Sequence, residues 1–351
     1  MPSAPAESSF PAYPAAWYLF GESRTLRDRP ASKTMLGRRL VAYRGASGRA
    51  IVLDATCSHL GADLGRGRVV GDCLQCPFHQ WEYAAHGRCV RIPTQPTIPQ
   101  FAKQHAYPTV ERHGLVFVFN GEEPLFPLPF FLGERSEDFV PGRLIRLVGG
   151  CSWYLLTGNG FDTAHFRGVH DRELLVAPKV DCPAEFARRI RLVTRVAGGS
   201  RADRFIRGTI GGVVELTITN WGGPFVVVVA QFARATSYML IMTQPLEPEK
   251  TLVEVMVFAP RAENAFVRHV LQPLTLEVRR LLTRAFMNPD FQRLSGIRYN
   301  SRTLVHADRE MLEFFRWLVA LPQSKPDLRR TSEVVAELNQ PACAFTEGPV
   351  R

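Results

Sequence analysis

Two short stretches, Cys57-Ser58-His59-Leu60-Gly61-Ala62 and Cys73-Leu74-Gln75-Cys76-Pro77-Phe78-His79, hold two pairs of metal-binding side chains. One residue separates Cys57 from His59, two separate Cys76 from His79, and sixteen lie between the pairs. Gly61 and the Pro after Cys76 favour tight turns beside each pair. Each pair is therefore predicted to lie on a loop, and the two loops are predicted to meet at a shared metal centre.

The donor set indicates which metal centre this is. Two thiolates and two imidazoles are the ligands of a Rieske [2Fe–2S] cluster, in which Cys holds one iron and His the other. A structural zinc site is the alternative, because Cys73 and Cys76 have the spacing of a zinc knuckle. Zinc loops usually pair like donors, however, whereas both loops here mix Cys with His. The spacing favours the iron–sulfur cluster over zinc and over a chance placement of buried side chains.

Composition and net charge limit the class of protein to which the chain can belong. At 351 residues the chain has room for two domains, and 46% hydrophobic with 22% charged residues is typical of a folded protein. The net charge of +10 comes from scattered basic residues without interleaved aromatic residues. No nucleic-acid partner is therefore expected. The favoured interpretation of this positive charge is an ordinary solvated surface. The functional alternative is that it steers an acidic electron-donor protein toward the cluster.

The sequence predicts a cytoplasmic protein without a membrane partner. The first sixteen residues have neither the basic nor the apolar region of a signal peptide. The longest apolar run, residues 225–230, is too short to span a bilayer. The seven cysteines show no regular framework, so those outside the metal loops are expected to be free thiols in a reducing compartment.

The predicted fold class is α+β. Strand-and-turn patterning predicts an all-β Rieske domain over residues 17–122, and prolines predict a linker over 123–142. The rest, 143–321, is predicted to be a catalytic domain of the helix-grip type, an antiparallel sheet backed by a long helix. Its strands are expected at 188–196, 204–219, 225–234, 238–243 and 252–259. Residues 1–16 are expected to form a flexible arm and 322–351 a C-terminal extension.

The long helix is predicted from apolar residues at helical spacing. They are Phe266, Val270, Leu274, Leu281 and Ala285, within residues 262–286. A proline at position 273 is expected to kink this helix.

A second metal site is indicated by Asn159, Asp162, His165 and His170. A helix is predicted over 159–169, on which Asp162 and His165 share a face. His165 and His170 lie about 140° apart around a helix axis, so they converge only if the helix ends between them, as Gly168 permits. Two imidazoles and a carboxylate bind Fe(II) and leave positions open for O2 and substrate. A core histidine beside a capping histidine is the alternative.

The third ligand and the substrate pocket are less defined by the sequence. Asp290 is the favoured carboxylate, with Asn288 as N-cap and Pro289 at the first helical position. An acidic residue in the first turn of a helix is explained equally well by its favourable interaction with the helix dipole. Glu277 and Asp308 are alternative third ligands on spacing alone. Residues 222–225 are a candidate pocket rim and 226–229 a candidate floor, although ordinary sheet core is the favoured interpretation.

Both motifs together resemble those of the Rieske non-heme iron oxygenases, in their oxygenase component. Asn159-x2-Asp162-x2-His165-x4-His170 matches the mononuclear-iron motif of that family. The resemblance implies these roles: Cys57, His59, Cys76 and His79 on the cluster; His165, His170 and Asp290 on Fe(II); Asp162, beside Asn159, as the bridge that passes electrons from a neighbouring subunit's cluster. Relatives have Asp-x3-Trp at the carboxylate, and this chain keeps the Asp without the Trp.

The resemblance also implies partners and chemistry. It implies a homotrimer, a separate ferredoxin or reductase that draws electrons from NAD(P)H, and O2 as co-substrate. The N-terminal third is most similar to an arylamine N-oxygenase, and the catalytic half shares features with steroid hydroxylases and desaturases. The expected reaction is therefore monooxygenation of an apolar or aromatic small molecule, with polycyclic hydroxylation or desaturation as the alternative. An electron-carrier or redox-sensing protein without a catalytic iron is the competing class.

Overall fold

The computed structural model describes residues 3–323 apart from Asp28. Its N-terminal part is built from strands, as predicted: β1 (Trp17–Glu22), β2 (Ala31–Met35), β3 (Arg38–Arg44), β4 (Ala50–Asp54), β5 (Arg68–Val70), β6 (Cys73–Gln75), β7 (Glu82–Tyr83), β8 (Cys89–Arg91), β9 (Ala106–Tyr107), β10 (Thr109–Arg112) and β11 (Leu115–Phe119). They form three antiparallel sheets with the orders β1-β11-β10, β2-β3-β4-β9 and β5-β6-β7-β8.

The metal loops project from two of these sheets. The predicted hairpin β3–β4 is confirmed, with Leu40 opposite Asp54 and Arg44 opposite Ala50. The first metal loop follows β4, and the second connects β6 to β7. A separate small core, which includes Tyr43, Leu74 and Tyr83, packs beneath both loops. Two independent hairpins therefore hold the loops on a common base.

The C-terminal part contains the large sheet. Its strands are β12 (Phe139–Pro141), β13 (Ile145–Gly149), β14 (Arg172–Leu174), β15 (Lys179–Ala184), β16 (Ala187–Val196), β17 (Val213–Trp221), β18 (Phe225–Phe232), β19 (Thr236–Glu247) and β20 (Lys250–Pro260). The antiparallel order is β12-β20-β19-β18-β17-β16-β14, with β13 also on β20 and β15 also on β16. An antiparallel sheet with a long helix confirms the α+β prediction.

The helices are α1 (Trp153–Gly158), α2 (Thr163–Gly168), α3 (Arg201–Thr209), α4 (Gln272–Leu294) and α5 (Arg309–Ala320). Short 3-10 turns occur at Glu7–Ser9, Ser23–Leu26, Leu64–Arg66, Ser136–Asp138, Asn159–Phe161 and His306–Asp308. The strand predicted over 204–219 is wrong in its first half. Ser200 caps α3 there by accepting the Asp203 backbone N–H at 3.0 Å, and this cap starts a helix where a strand was expected. No helix in the described part of the chain is long and apolar enough to cross a bilayer.

The long helix differs from its prediction in extent. A π-helical turn, Val267–Leu271, precedes α4, and Pro273 lies in the first turn just after it. Pro289 lies inside α4, so Asp290 is in its C-terminal part and the predicted helix start at Asn288 is wrong. The sequence Asn-Pro-Asp is typical of a helix start, but α4 begins earlier in the chain and continues through these three residues.

The large sheet has different surroundings on its two faces. Phe225 and Val227 of β18 enter a core shared with β1 and β11, whereas Val226 and Val228 point to the opposite face, toward α1 and α5. The predicted linker 123–142 belongs to the shared core, because Phe126 is buried there and β12 pairs with β20. The two predicted domains, whose boundaries stay a prediction, thus share apolar packing.

The N-terminal arm is also packed, contrary to expectation. The ring of Phe10 stacks on Tyr154 with centroids 4.0 Å apart, and the Trp153 indole donates to the Pro11 carbonyl at 3.2 Å. Aromatic packing and hydrogen bonds to its backbone together hold the described part of the arm against α1. Of the predicted C-terminal extension, residues 324–351 lie outside the described residues.

Candidate metal centres and cavity

Each metal loop is closed by a backbone hydrogen bond. The Cys57 N–H donates to the Ala62 carbonyl at 2.9 Å, and the Cys76 N–H donates to the Trp81 carbonyl at 2.8 Å. Gly61 has a φ of 76°, a left-handed conformation that glycine adopts without strain. The predicted turn at Gly61 is therefore confirmed.

The two thiols of the metal loops are buried, whereas the two imidazoles are partly exposed. Cys57 and Cys76 are buried, and burial raises the pKa of the Cys57 thiol. The rings of His59 and His79 have centroids 4.5 Å apart, and His59 stacks on Trp81 at the same distance. Tyr83 lies beneath, with its Oη 3.1 Å from the Cys57 Sγ. The four predicted cluster ligands thus lie close together, with the two imidazoles beside each other and the two thiols beside each other.

This arrangement fits a two-iron cluster. The Nδ1 atom of His59 is buried and has no hydrogen-bond partner among the described residues, as a metal-binding nitrogen requires. A single tetrahedral zinc ion holds all its donors within about 4 Å of one another. Within the described range, the loop donors do not gather as closely as the set of His165, His170 and Asp290 described next. The geometry therefore favours the iron–sulfur cluster over zinc.

The second group of donors lies between α2 and α4. One donor atom each of His165, His170 and Asp290 fall within 4.8 Å of one another. His170 Nε2 and Asp290 Oδ1 are 2.9 Å apart, and both are buried without a hydrogen-bond partner among the described residues. A ring nitrogen and a carboxylate oxygen at contact distance but outside hydrogen-bond geometry are well placed to share a cation. The set matches a two-histidine, one-carboxylate iron site.

His165 and His170 converge because α2 ends between them at Gly168, as predicted. The Nδ1–H of His165 donates to the carbonyl of Asp162, which leaves its Nε2 lone pair for a metal. Burial lowers the pKa of His165, which favours the neutral imidazole that metals bind. Arg293 of α4 donates to the Gly168 carbonyl at 2.7 Å and holds the end of α2 against the helix of Asp290.

Asp162 caps α2. Its Oδ1 accepts the backbone N–H groups of Ala164 at 3.0 Å and His165 at 3.2 Å. Asn159 opens the 3-10 turn just before it and lines the cavity described below. Both residues therefore lie beside the candidate iron site, and Asp162 orients the helix that carries His165.

Sequence reasoning missed a buried network behind His170. Arg172 donates to the His170 carbonyl at 2.7 Å and to Asp203 Oδ1 of α3 at 2.8 Å. Its guanidinium lies over the ring of Phe286, which stacks on His170 with centroids 4.0 Å apart. Only the nearness of Arg172 to His170 in the sequence hinted at this network, because its other members come from distant helices.

A cavity of about 560 Å³ lies beside the candidate iron site. His165 and Asp290 form part of its wall, and the other lining side chains are mainly apolar. They include Ile218 of β17, Val226 and Val228 of β18, Met239 and Ile241 of β19, Phe205 and Ile206 of α3, and Leu274, Val278 and Phe286 of α4. The cavity therefore suits an apolar ligand held next to the metal.

The structure decides between the alternatives that the sequence left open for the pocket and for the third iron ligand. Residues 222–225 are not the rim, since Gly222 packs against Phe126 and Phe225 is buried in the shared core. Of the predicted floor, alternate residues line the cavity, as a strand requires. Glu277 pairs with Arg280, and Asp308 accepts the Val305 N–H at 2.8 Å, so neither competing carboxylate reaches the histidines.

The Rieske [2Fe–2S] domain family matches residues 16–102, the segment that contains both metal loops. Residues 16–102 are a Rieske [2Fe–2S] domain. This domain explains the pairing of buried thiols with outer imidazoles, and the expected resemblance to Rieske oxygenases is confirmed by the relatives of the chain.

Three relatives illustrate the resemblance in sequence. Aminopyrrolnitrin oxygenase of Pseudomonas fluorescens is 46% identical over 123 residues, which cover 33% of this chain and 34% of the relative. The 3-ketosteroid-9-alpha-monooxygenase oxygenase component of Rhodococcus rhodochrous is 37% identical over 44% of this chain and 42% of the relative. Cholesterol 7-desaturase of Xenopus laevis is 42% identical over 47% and 38%. The chain thus matches less than half the length of these curated relatives.

Solved structures extend the likeness beyond the Rieske domain. A structure of NdmA from Pseudomonas putida CBB5, a QL mutant with theobromine, superposes with a TM-score of 0.64 at 17% identity, over 87% of this chain and 89% of that one. Dicamba monooxygenase bound to 3,6-dichlorosalicylic acid gives a TM-score of 0.62 at 17% identity, over 92% and 98%. At this identity the likeness concerns the fold.

Proposed function

We propose that this chain is the oxygenase component of a Rieske monooxygenase, which uses O2 and electrons from a separate protein to oxidise an apolar small molecule. The observation that carries the proposal is the orphaned pair of His170 Nε2 and Asp290 Oδ1, 2.9 Å apart, beside an apolar cavity of about 560 Å³. An electron-carrying domain in the same chain needs an acceptor, and a metal ion at this pair is a suitable one.

The residues of the site have distinct roles in this proposal. A [2Fe–2S] cluster bound by the two metal loops would supply single electrons, and His165, His170 and Asp290 would hold a ferrous ion that would supply the redox chemistry for O2. The Asp162 carbonyl fixes the tautomer of His165, and Arg172 holds the backbone of His170. The apolar wall excludes water and orients the substrate beside the metal.

The electron donor is proposed to be a separate ferredoxin or reductase. The sequence has no glycine-rich dinucleotide-binding signature, so the nicotinamide chemistry belongs to another chain. Leu60 and Phe78 are largely exposed beside the cluster histidines and offer apolar contacts to a docking protein. A homotrimer is proposed by resemblance, with Asp162 as the bridge to the cluster of a neighbouring subunit, and the cytoplasm is the proposed compartment.

The substrate is proposed to be a fused-ring apolar molecule. The cavity is large for a single aromatic ring, and most of its wall is apolar, with Asn159 and several threonines as polar lining residues. Relatives named for steroid and cholesterol oxidation support this class, whereas the relative named for aminopyrrolnitrin supports N-oxidation of an arylamine.

The test begins with metal content. Protein purified anaerobically is assayed for iron and acid-labile sulfide, and its visible spectrum is recorded. We expect a reddish-brown protein with about three irons and two sulfides per chain. Steroids and arylamines are then incubated with NADH, a surrogate reductase and ¹⁸O2, and we expect one labelled oxygen in the product.

Two outcomes contradict the proposal. About two irons with two sulfides leave the chain without a catalytic metal and support the electron-carrier class. A colourless protein that contains zinc contradicts the Rieske assignment itself.

A further inference from the structure

The long helix turns its apolar side outward. The π-turn and α4 carry an exposed row of large apolar side chains, here called the outer stripe: Phe266, Val267, Val270, Leu271, Leu274, Val278 and Leu281. Phe266 is 64% exposed, Leu274 62% and Leu281 54%. The buried residues of the same helix are Gln272, Leu276 and Thr283. The apolar periodicity seen in the sequence therefore does not face the sheet, as a helix that covers a core normally does.

The outer stripe is continuous with the cavity. Leu274 and Val278 belong to the stripe and also line the cavity, whereas Phe266, Val270 and Leu281 do not. Phe205 of α3, itself 49% exposed, lines the cavity from the other side. The apolar surface and the mainly apolar cavity thus share side chains of α4.

The stripe is accompanied by positive charge. Half-exposed Arg268 of the π-turn and exposed Arg284 of α4 form no ion pair among the described residues, and Glu263, just before the stripe, is the one exposed acid near its start. Exposed Arg204 lies beside Phe205 on α3. On α4 the carboxylate of Glu277 is already neutralised by Arg280. An exposed apolar stripe with unpaired arginines on the same segment is complementary to an anionic lipid surface.

We propose that the outer stripe docks on an anionic lipid surface, with its apolar side chains at the acyl boundary and Arg268 and Arg284 at the headgroups. A second copy of this chain is a poorer occupant, because self-association through the stripe brings like charges together. Docking places the open end of the cavity against the lipid, from which an apolar substrate enters directly. This last step rests on the proposed function; the docking itself does not.

Docking of this kind needs no spanning segment. The sequence-based expectation of no membrane partner rested on the lack of an apolar run long enough to cross a bilayer. A segment that lies in the interface plane instead needs an exposed apolar side, which the outer stripe provides, while other apolar side chains of α4 line the cavity.

The test is sedimentation of the full-length, cluster-containing protein with vesicles of phosphatidylcholine alone or mixed with phosphatidylserine. We expect binding to the mixed vesicles that weakens with salt. The variant F266D/V270D removes apolar side chains outside the cavity, and we expect more than about tenfold weaker binding. The variant R268E/R284E loses at least about fivefold per arginine on the mixed vesicles.

The matched control is L132D/V148D, which changes two exposed apolar side chains that belong to neither the π-turn nor α4. It is expected to sediment like the unmodified protein. Unchanged visible spectra and iron content in every variant show that the fold is retained. Sedimentation uses neither substrate nor reductant, so its result is separate from that of the turnover assay.

Two results overturn the proposal. One is equal sedimentation of F266D/V270D and the unmodified protein, or no sedimentation of either. The other is an assembly, measured by light scattering, that F266D/V270D dissociates, because the stripe is then an interface between copies of this chain.

Discussion

The Nε2 atom of His170 lies 2.9 Å from Oδ1 of Asp290, although one residue follows the short helix α2 and the other lies near the end of α4. Neither atom has a hydrogen-bond partner among the described residues. In a folded chain, such a pair is stable when a third group satisfies both atoms. This relationship makes Asp290, rather than Glu277 or Asp308, the carboxylate to test.

Asp290→Asn is expected to remove the mononuclear iron and keep the cluster. The amide retains the shape of the side chain but loses the negative charge that a ferrous ion requires. Iron should fall by about one per chain while sulfide stays at about two. Glu277→Gln on the same helix is the control and should leave both values unchanged. Full iron content in Asp290→Asn would refute the assignment.

Tyr83→Phe is expected to lower the reduction potential of the cluster. The Tyr83 hydroxyl lies 3.1 Å from Cys57 Sγ and stabilises the more electron-rich, reduced form by hydrogen bonding. Loss of about 1 kcal/mol corresponds to about 40 mV for a one-electron couple. Tyr43→Phe, whose hydroxyl bonds the Asp72 carbonyl instead, should not shift the potential in a redox titration. Equal potentials for the two variants would exclude this role.

Arg172→Met is expected to destabilise the protein by about 3 kcal/mol. The Arg172–Asp203 pair is buried, and removal of one partner leaves an unpaired charge in the interior. Arg195→Met, which breaks an exposed pair with Glu173, should cost less than about 0.5 kcal/mol. Urea denaturation measures both variants.

A second measurement separates positioning from stability. Since Arg172 also holds the His170 carbonyl, Arg172→Met should lose iron to a chelator faster than Arg195→Met, while sulfide is retained. Equal rates of iron loss would mean that Arg172 only stabilises the fold.

Val228→Phe is expected to fill the cavity without unfolding the protein. Val228 lines the cavity, whereas its neighbour Val227 faces the packed core on the other side of the sheet. Val227→Phe should therefore destabilise by about 1–3 kcal/mol, and Val228→Phe by much less. Binding of a fluorescent polycyclic hydrocarbon and thermal melting distinguish the two. Tight probe binding by Val228→Phe would place the ligand elsewhere.

Folding stability is expected to fall in acid partly through His113. Burial, with Arg112 and Arg261 nearby, lowers the pKa of His113 to about 4 from its ordinary value of 6.5. Between these values the unfolded chain binds a proton that the folded chain does not, so the contribution is lost as the pH drops through this window.

His113→Asn removes this titration and suits the positive φ of 54° at this position. The melting temperature of His113→Asn minus that of the unmodified protein should therefore increase as the pH is lowered from about 7 to about 4.5. A constant difference in melting temperature across that range would exclude His113 as the source.

Much of the arrangement of the candidate metal ligands could be predicted from the sequence. The cluster ligands lie on two tight loops, and local spacing is sufficient to define such loops. His165 and His170 are likewise close in sequence, so a helix end at Gly168 was enough to join them. Strands β16, β18, β19 and β20 were predicted because side-chain alternation is a local property. The strand predicted at 204–219 failed where a single Ser200 cap competed with that pattern.

The sequence by itself determined the candidate iron ligands and the approximate positions of the strands β16, β18, β19 and β20. Only the tertiary structure decided which carboxylate meets the histidines, that Arg172 pairs with Asp203, and that the outer stripe of α4 faces away from the sheet. The physical reason is that periodicity defines the apolar side of a helix but not its rotation about its own axis. That rotation follows from contacts between elements distant in the chain: here Gln272, Leu276 and Thr283 are buried, and the arginine-flanked stripe is left exposed.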